Sequence, residues 1–119
     1  MKKVNDSKKI IYHKDSCITC KKTISEIQRM KIDIERRDFF KEPFSETELK
    51  KIIKMTSMTP QQMIRKRDKM YKKLSLDTKE IADDQLIKLM VKHPGLIARP
   101  IIIIDKKAHV GKASIENIK

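Results

Sequence analysis

Cys17 and Cys20, the two cysteines of the 119-residue chain, stand two residues apart where the apolar stretch Lys9-Ile10-Ile11-Tyr12 gives way to a helix-like pattern. A helix N-terminus presents unpaired backbone N–H groups and the positive end of the macrodipole, which pushes a first-turn cysteine toward the reactive thiolate. A second sulfur three residues on is close enough to resolve a mixed disulfide formed on the first. The expected chemistry is thiol–disulfide exchange, with Cys17 attacking and Cys20 resolving. The plainer use of Cys20 is packing on the same helix face as Ile24. A zinc site from His13, Cys17, Cys20 and His109 would need a second close-spaced ligand pair that a single C-x-x-C does not supply, so no metal is expected.

The elements that must hold these residues can be read along the chain. A first strand is expected at about residues 9–12, then a helix over about 17–30 with Cys20, Ile24 and Ile27 at i, i+4 and i+7. That register turns Cys20 toward the core and leaves Cys17 at the exposed helix tip. Ile32 and Ile34 alternate with polar residues up to Asp38-Phe39-Phe40, a second strand, which a crossover helix places parallel to the first. Ser45-Glu46-Thr47-Glu48 reads as a capping box ahead of Leu49, Ile52 and Ile53. Thr59-Pro60 reads as an N-cap with proline at the first helical position, opening a helix that carries Met63, Ile64, Met70 and Tyr71. Asp83 or Asp84 is expected to cap a third helix with Leu86, Leu89 and Met90, stopped by His93-Pro94-Gly95. Ile101–Ile104 reads as a buried strand, Asp105–Ala108 as a hairpin turn into a short strand at His109–Gly111, and Ser114 as the cap of a last helical turn. The order β-α-β, helices, β-β-α predicts an α/β, thioredoxin-like fold. Its four-stranded mixed sheet would carry a helical insertion, about residues 45–95, between strands 2 and 3, all in a single domain spanning 1–119.

Composition sets the setting. The chain has no apolar run of the roughly 20 residues a membrane span needs, and Met1–Lys9 lacks the apolar stretch of a signal peptide, so a soluble, cytoplasmic, monomeric protein without membrane contact is expected. The first eight residues are polar and expected to fray. A formal charge of +13 predicts attraction to anions. With only 4% aromatic residues the chain has few rings on which to stack bases, which favours a solvated lysine-rich surface over a nucleic-acid face. Arg99, wedged between Ala98 and Pro100 ahead of the isoleucine run, needs an anionic partner, a carboxylate or solvent. Arg65 and Arg67 lie in the run Arg65-Lys-Arg67-Asp-Lys, which also reads as a solvated face.

Four segments, in this order and spacing, carry a resemblance. They are Cys17-Ile-Thr-Cys20-Lys-Lys; Phe40-Lys-Glu-Pro43; Met63-Ile-Arg65-Lys-Arg67 with Tyr71-Lys-Lys-Leu74; and His93-Pro-Gly-Leu-Ile-Ala-Arg99-Pro100-Ile-Ile. Over about residues 9–119 the chain resembles the ArsC/Spx superfamily of arsenate reductases and Spx-type redox regulators. The resemblance implies that Cys17 is the nucleophile and that His13, four residues earlier, supports its thiolate. It implies that Arg65, Arg99 and Lys112 hold an oxyanion, with Arg67 as the alternative to Arg65, and that Pro100 is the cis-proline facing the redox cysteine. Lys112 stands where the reductases have a third arginine, so it keeps the charge and loses the two-pronged grip. The implied substrate is arsenate or another small oxyanion, or a disulfide. No bound cofactor is implied; the reductant would be an external thiol system, glutathione with glutaredoxin, or thioredoxin. The C-x-x-C is what Spx-type regulators carry, and for them RNA polymerase is the implied partner. Those regulators place a glycine in the insertion where this chain has Thr59 beside Pro60, and usually have a C-terminal tail.

Overall fold

The computed structural model describes residues 9–78 and 80–111. By its contacts the chain divides into two compact units, one built from the chain up to Glu42 and from Arg99 onward, the other from Pro43–Ala98.

The first unit is a four-stranded mixed sheet with one helix. Its elements are β1 (Ile10–His13), α1 (Ile18–Arg29), β2 (Glu35–Asp38), β3 (Ile101–Ile104) and β4 (Lys107–Val110), with strands ordered β2-β1-β3-β4. β1 runs parallel to β2, with Ile10 opposite Glu35 and His13 opposite Asp38, and antiparallel to β3, with Ile11 opposite Ile102. Parallel neighbours need a crossover, which α1 provides. Ile11, Ile27 and Ile102 form the buried centre, flanked by Ile24, Met30, Ile32, Ile34 and Ile104. Ile24 and Ile27 come from one face of α1, Ile11 from β1, Ile102 and Ile104 from alternate positions of β3, and Met30, Ile32 and Ile34 from the segment between α1 and β2. β3 lies where the isoleucine run placed it. The hairpin after it is tighter than expected: Asp105 and Lys106 alone make the turn, at φ of 51° and 68°, and β4 starts at Lys107. Two residues with positive φ match the twist of a two-residue hairpin, so Ala108 becomes a ladder residue opposite Ile103.

The second unit is helical: α2 (Glu46–Thr56), α3 (Pro60–Met63), α4 (Lys69–Lys73), α5 (Asp83–Lys92) and a 3-10 turn at Pro94–Leu96. Ser45 caps α2 by accepting the Glu48 N–H at 3.1 Å. Thr59 and Gln62 make a reciprocal capping box on α3, with Pro60 at the first helical position. Leu49, Ile52, Ile53, Met63, Leu86, Ile87 and Met90 are buried between α2, α3 and α5.

Two expectations fail here. Met63, Ile64, Met70 and Tyr71 do not share a helix: α3 ends at Met63 and Ile64 pairs with Ile97 in an antiparallel bridge. The Arg65 N–H donates to the Leu96 carbonyl at 2.7 Å and the Ala98 N–H to the Met63 carbonyl at 2.9 Å, so this backbone is spent on a ladder, and Asp68 caps a new helix at Met70. The second concerns α5, whose N-cap is Ala82; Asp83 and Asp84 sit in its first turn, where they complement the helix dipole without capping. Among the described residues no helix is long and apolar enough to cross a membrane. The expected fraying of residues 1–8 and the Ser114 cap lie outside the described residues.

Candidate redox site

The loop between β1 and α1 is a short turn in which the Cys17 N–H donates to the Lys14 carbonyl at 3.0 Å. Cys17 is the N-cap of α1, in extended conformation, and its carbonyl starts the helix by accepting the Lys21 N–H at 3.0 Å. Its side chain is half-buried, Ile18 next to it is 70% exposed, and Cys20 is fully buried. One sulfur is therefore accessible and the other sheltered, the split that the helix register predicts.

Asp38, the last residue of β2, ties this loop to the turn that follows. One carboxylate oxygen accepts the Asp15 N–H at 3.0 Å, and the other accepts the N–H groups of Phe40 at 2.8 Å and Lys41 at 3.3 Å. The Phe39 N–H reaches the His13 carbonyl at 3.0 Å, and the Lys41 ammonium pairs with the Asp15 carboxylate. Burial opposes ionisation of Asp38, but the three N–H groups outweigh it and hold the carboxyl below the usual aspartate range. These bonds set Phe40 beside the cysteine loop. The Lys14 ammonium lies 4.5 Å from the centroid of the Phe40 ring and the Arg99 guanidinium 5.4 Å from it.

Arg99 joins the site at the start of β3, before a cis Arg99–Pro100 peptide. Its guanidinium is near enough to the Cys17 sulfur to favour the thiolate. Burial by itself would raise the Cys17 pKa. The Cys20 backbone N–H, the Cys20 thiol and Arg99 all favour its charged form, Arg99 adding its charge, and together they bring the pKa below the ordinary thiol value. Cys20 goes the other way: burial, reinforced by the nearby Cys17 sulfur, pushes it up to about 12. Chemically this makes Cys17 the more acidic of the two thiols and Cys20 the one that keeps its proton.

His13, at the end of β1, is buried, and its Nδ1 lies 3.4 Å from an Asp15 carboxylate oxygen. Burial lowers its pKa, against Asp15 and Asp38 and with Arg36 and Lys41. It borders a recess whose other lining includes Lys21, Ile24, Ser25, Gln28 and Arg36. Burial is the largest influence on both groups; next to it the neighbours that act on Cys17 are Cys20 and Arg99, and those that act on His13 are Asp15 and Asp38. Donor atoms of His13, Asp15 and Asp38 lie within 4.8 Å of one another, the spacing of metal ligands. Backbone N–H groups already occupy both Asp38 oxygens and Lys41 occupies Asp15, so these acids serve the loop. His109 sits in β4 opposite Ile102.

Arg65 and Arg67 belong to the helical unit. Arg65 is half-buried with Nη1 3.9 Å from the Asp68 carboxylate, and Arg67 is exposed. Lys112 lies outside the described residues. Cys17, Cys20 and Arg99 are brought together in the sheet unit. Asp38 and Phe40 complete that group and escaped the sequence reading. The available signal was Asp38 at a strand end followed by Phe39-Phe40, an aspartate placed to fold its carboxylate over the next backbone N–H groups.

A family model of the ArsC family matches residues 12–118. The chain is 37% identical over 101 residues to the global transcriptional regulator Spx of Listeria innocua, covering 85% of this chain and 77% of that protein. With Spx of Bacillus subtilis the identity is 35% over the same length and coverage. Among solved structures, an arsenate reductase from Vibrio cholerae superimposes with a TM-score of 0.86 at 26% identity, covering 96% of this chain and 98% of that one. A putative arsenate reductase from Yersinia pestis gives 0.84 at 27% identity, covering 92% and 97%. The matched span takes in the cysteine pair, the stapled turn after β2 and the Arg99-Pro100 segment: the chain belongs to the ArsC family.

Proposed function

We propose that this protein is a cytoplasmic dithiol redox protein in which Cys17 is the attacking thiolate and Cys20 the resolving thiol. The observation that carries the reading is the placement of the two sulfurs, Cys17 half-buried at the N-cap of α1 and Cys20 fully buried one turn on, with which their opposite tuning agrees. With a disulfide substrate, the Cys17 thiolate attacks one sulfur, forms a mixed disulfide and expels the other sulfur as a thiolate. Cys17 is then uncharged, the share of the Cys20 shift that its thiolate adds to burial is gone, and Cys20 loses its proton more readily and attacks the Cys17 sulfur. The second substrate thiolate leaves, and the two electrons given up appear as the Cys17–Cys20 disulfide, which an external thiol system reduces. With arsenate the same two electrons take As(V) to As(III), and Arg99 would hold the oxyanion beside Cys17. His13 supports the thiolate in this reading.

A second reading uses the same disulfide as a switch: a transcriptional regulator whose oxidation state governs binding to RNA polymerase. The 37% identity to a global transcriptional regulator over 85% of the chain favours it. Both readings are tested by incubating reduced protein with arsenate and a thiol system while following arsenite, beside capture of RNA polymerase by the reduced and the oxidised protein. Turnover that needs Cys17 and Arg99 supports the reductase. Polymerase capture that depends on oxidation, without turnover, supports the regulator. Failure of Cys17 and Cys20 to form a disulfide under mild oxidation overturns both.

A further inference from the structure

Arg99 is a long cation whose usefulness depends on where its planar head is held. The contacts around it show how that is done. Its guanidinium stands 5.4 Å from the Phe40 ring centroid, within the range in which a ring's negative face attracts a cation, and the Lys14 ammonium stands 4.5 Å from the same centroid. Phe40 in turn is fixed from two sides. Its backbone N–H is held by Asp38 at 2.8 Å, and its ring packs against the buried Phe39 ring with centroids 5.2 Å apart and planes tilted by 46°. Resting on the proposed function of Cys17 as the attacking thiol, we propose that Phe40 is a positioning residue: its ring carries the Arg99 guanidinium and holds it at the Cys17 sulfur.

The chemistry favours a ring over a carboxylate for this task. An aspartate beside Arg99 would fix the head equally well and would neutralise the charge that stabilises the thiolate. A ring quadrupole attracts the cation and leaves its net charge intact, so the guanidinium still acts on Cys17 and on any anion that approaches it. The second cation on the same ring, Lys14, sits in the turn that carries Cys17, so Phe40 links the cysteine loop to the start of β3 through its two charged neighbours. The whole arrangement lies in the sheet unit.

The test follows the pH dependence of Cys17 alkylation by iodoacetamide in the reduced protein, in a Cys20→Ser background that leaves one thiol. Phe40→Leu should raise the midpoint and reduce the thiolate fraction about three- to tenfold, the order of one cation–π contact. Phe40→Tyr, which keeps the ring face, should restore the original midpoint. In an Arg99→Ala background Phe40→Leu should move the midpoint no further, since the ring acts through Arg99. Equal shifts with and without Arg99 would show a packing effect and overturn the inference. Should Phe40→Leu fail to fold, a ring-fluorinated phenylalanine at position 40 keeps the shape and weakens the ring face; an unchanged midpoint there overturns the inference. A wild-type midpoint at the ordinary thiol value removes the proposed function along with it, whereas a lowered midpoint indifferent to Phe40 removes this inference alone.

Discussion

The Asp38 carboxylate accepts the Asp15 backbone N–H at 3.0 Å across 23 residues of chain, and so binds the end of β2 to the loop that delivers Cys17. With its other oxygen engaged by Phe40 and Lys41, one side chain fixes both the turn before Cys17 and the turn that follows β2. Loop geometry at the candidate site is therefore set by a residue that touches neither sulfur.

Removing that carboxylate should loosen the loop more than the fold. Asp38→Ala is expected to lower stability by about 1–2 kcal/mol, less than three buried charge-assisted bonds would give because water reaches this turn. Chemical denaturation measures the loss. Cys17 alkylation should slow at the same time, and a stability loss without any change at Cys17 would separate the staple from the site. Since the folded Asp38 pKa is below its ordinary 3.8, its contribution is present above that value and fades as pH falls through the folded one.

Gly95 has a different reason for being what it is. A Cβ there would lie 2.6 Å from one Asp68 carboxylate oxygen and 3.1 Å from the carboxyl carbon. The other oxygen caps α4 by accepting the Met70 N–H at 3.1 Å. Gly95→Ala should displace Asp68 and destabilise by about 1–2 kcal/mol, the usual effect of losing an N-cap. Once Asp68→Ala is present, Gly95→Ala should add little, a non-additivity that a double-mutant cycle in denaturant detects.

What could be read from the sequence was whatever depends on local pattern. Ile101–Ile104 declared β3 because four successive β-branched apolar residues suit a buried strand, and the cysteine register followed from helical spacing. Local pattern misled at Met63–Tyr71, where apolar residues seven apart imitate a helix while the backbone between them pairs with Leu96–Ala98. Capping by Asp83 failed for a related reason, since a helix can begin one residue earlier without any side-chain cap. Asp38 and Phe40 were illegible because their value lies in partners far along the chain, Asp15 and Arg99, and no spacing rule connects them.

His13 gives a prediction whose sign can be worked out. Burial is the dominant influence and holds its folded pKa below the ordinary 6.5. Between the folded value and 6.5 the unfolded chain carries more protons than the folded one, so stability rises with pH through that window and is lost as pH falls through the folded value. NMR titration of the His13 imidazole should give a midpoint below 6.5. His13→Gln should flatten this limb of the stability profile; a midpoint above 6.5 would mean that Asp15 and Asp38 outweigh burial.

The two sulfurs should behave as different reagents. At pH 7 in the native reduced protein, Cys17 should take up iodoacetamide while Cys20, buried and with its pKa pushed up to about 12, stays unmodified until the chain is unfolded. Cys17→Ser should therefore abolish fast labelling. Cys20→Ser should leave it and, with a disulfide substrate, should accumulate a mixed disulfide on Cys17 that mass spectrometry finds as a single adduct. The wild-type protein should show that adduct only in passing, because loss of the Cys17 charge lets Cys20 ionise more readily and close the internal disulfide. An adduct equally long-lived in the wild type and in Cys20→Ser would take the resolving step away from Cys20, and equal labelling of both cysteines in the folded protein would take the attacking step away from Cys17.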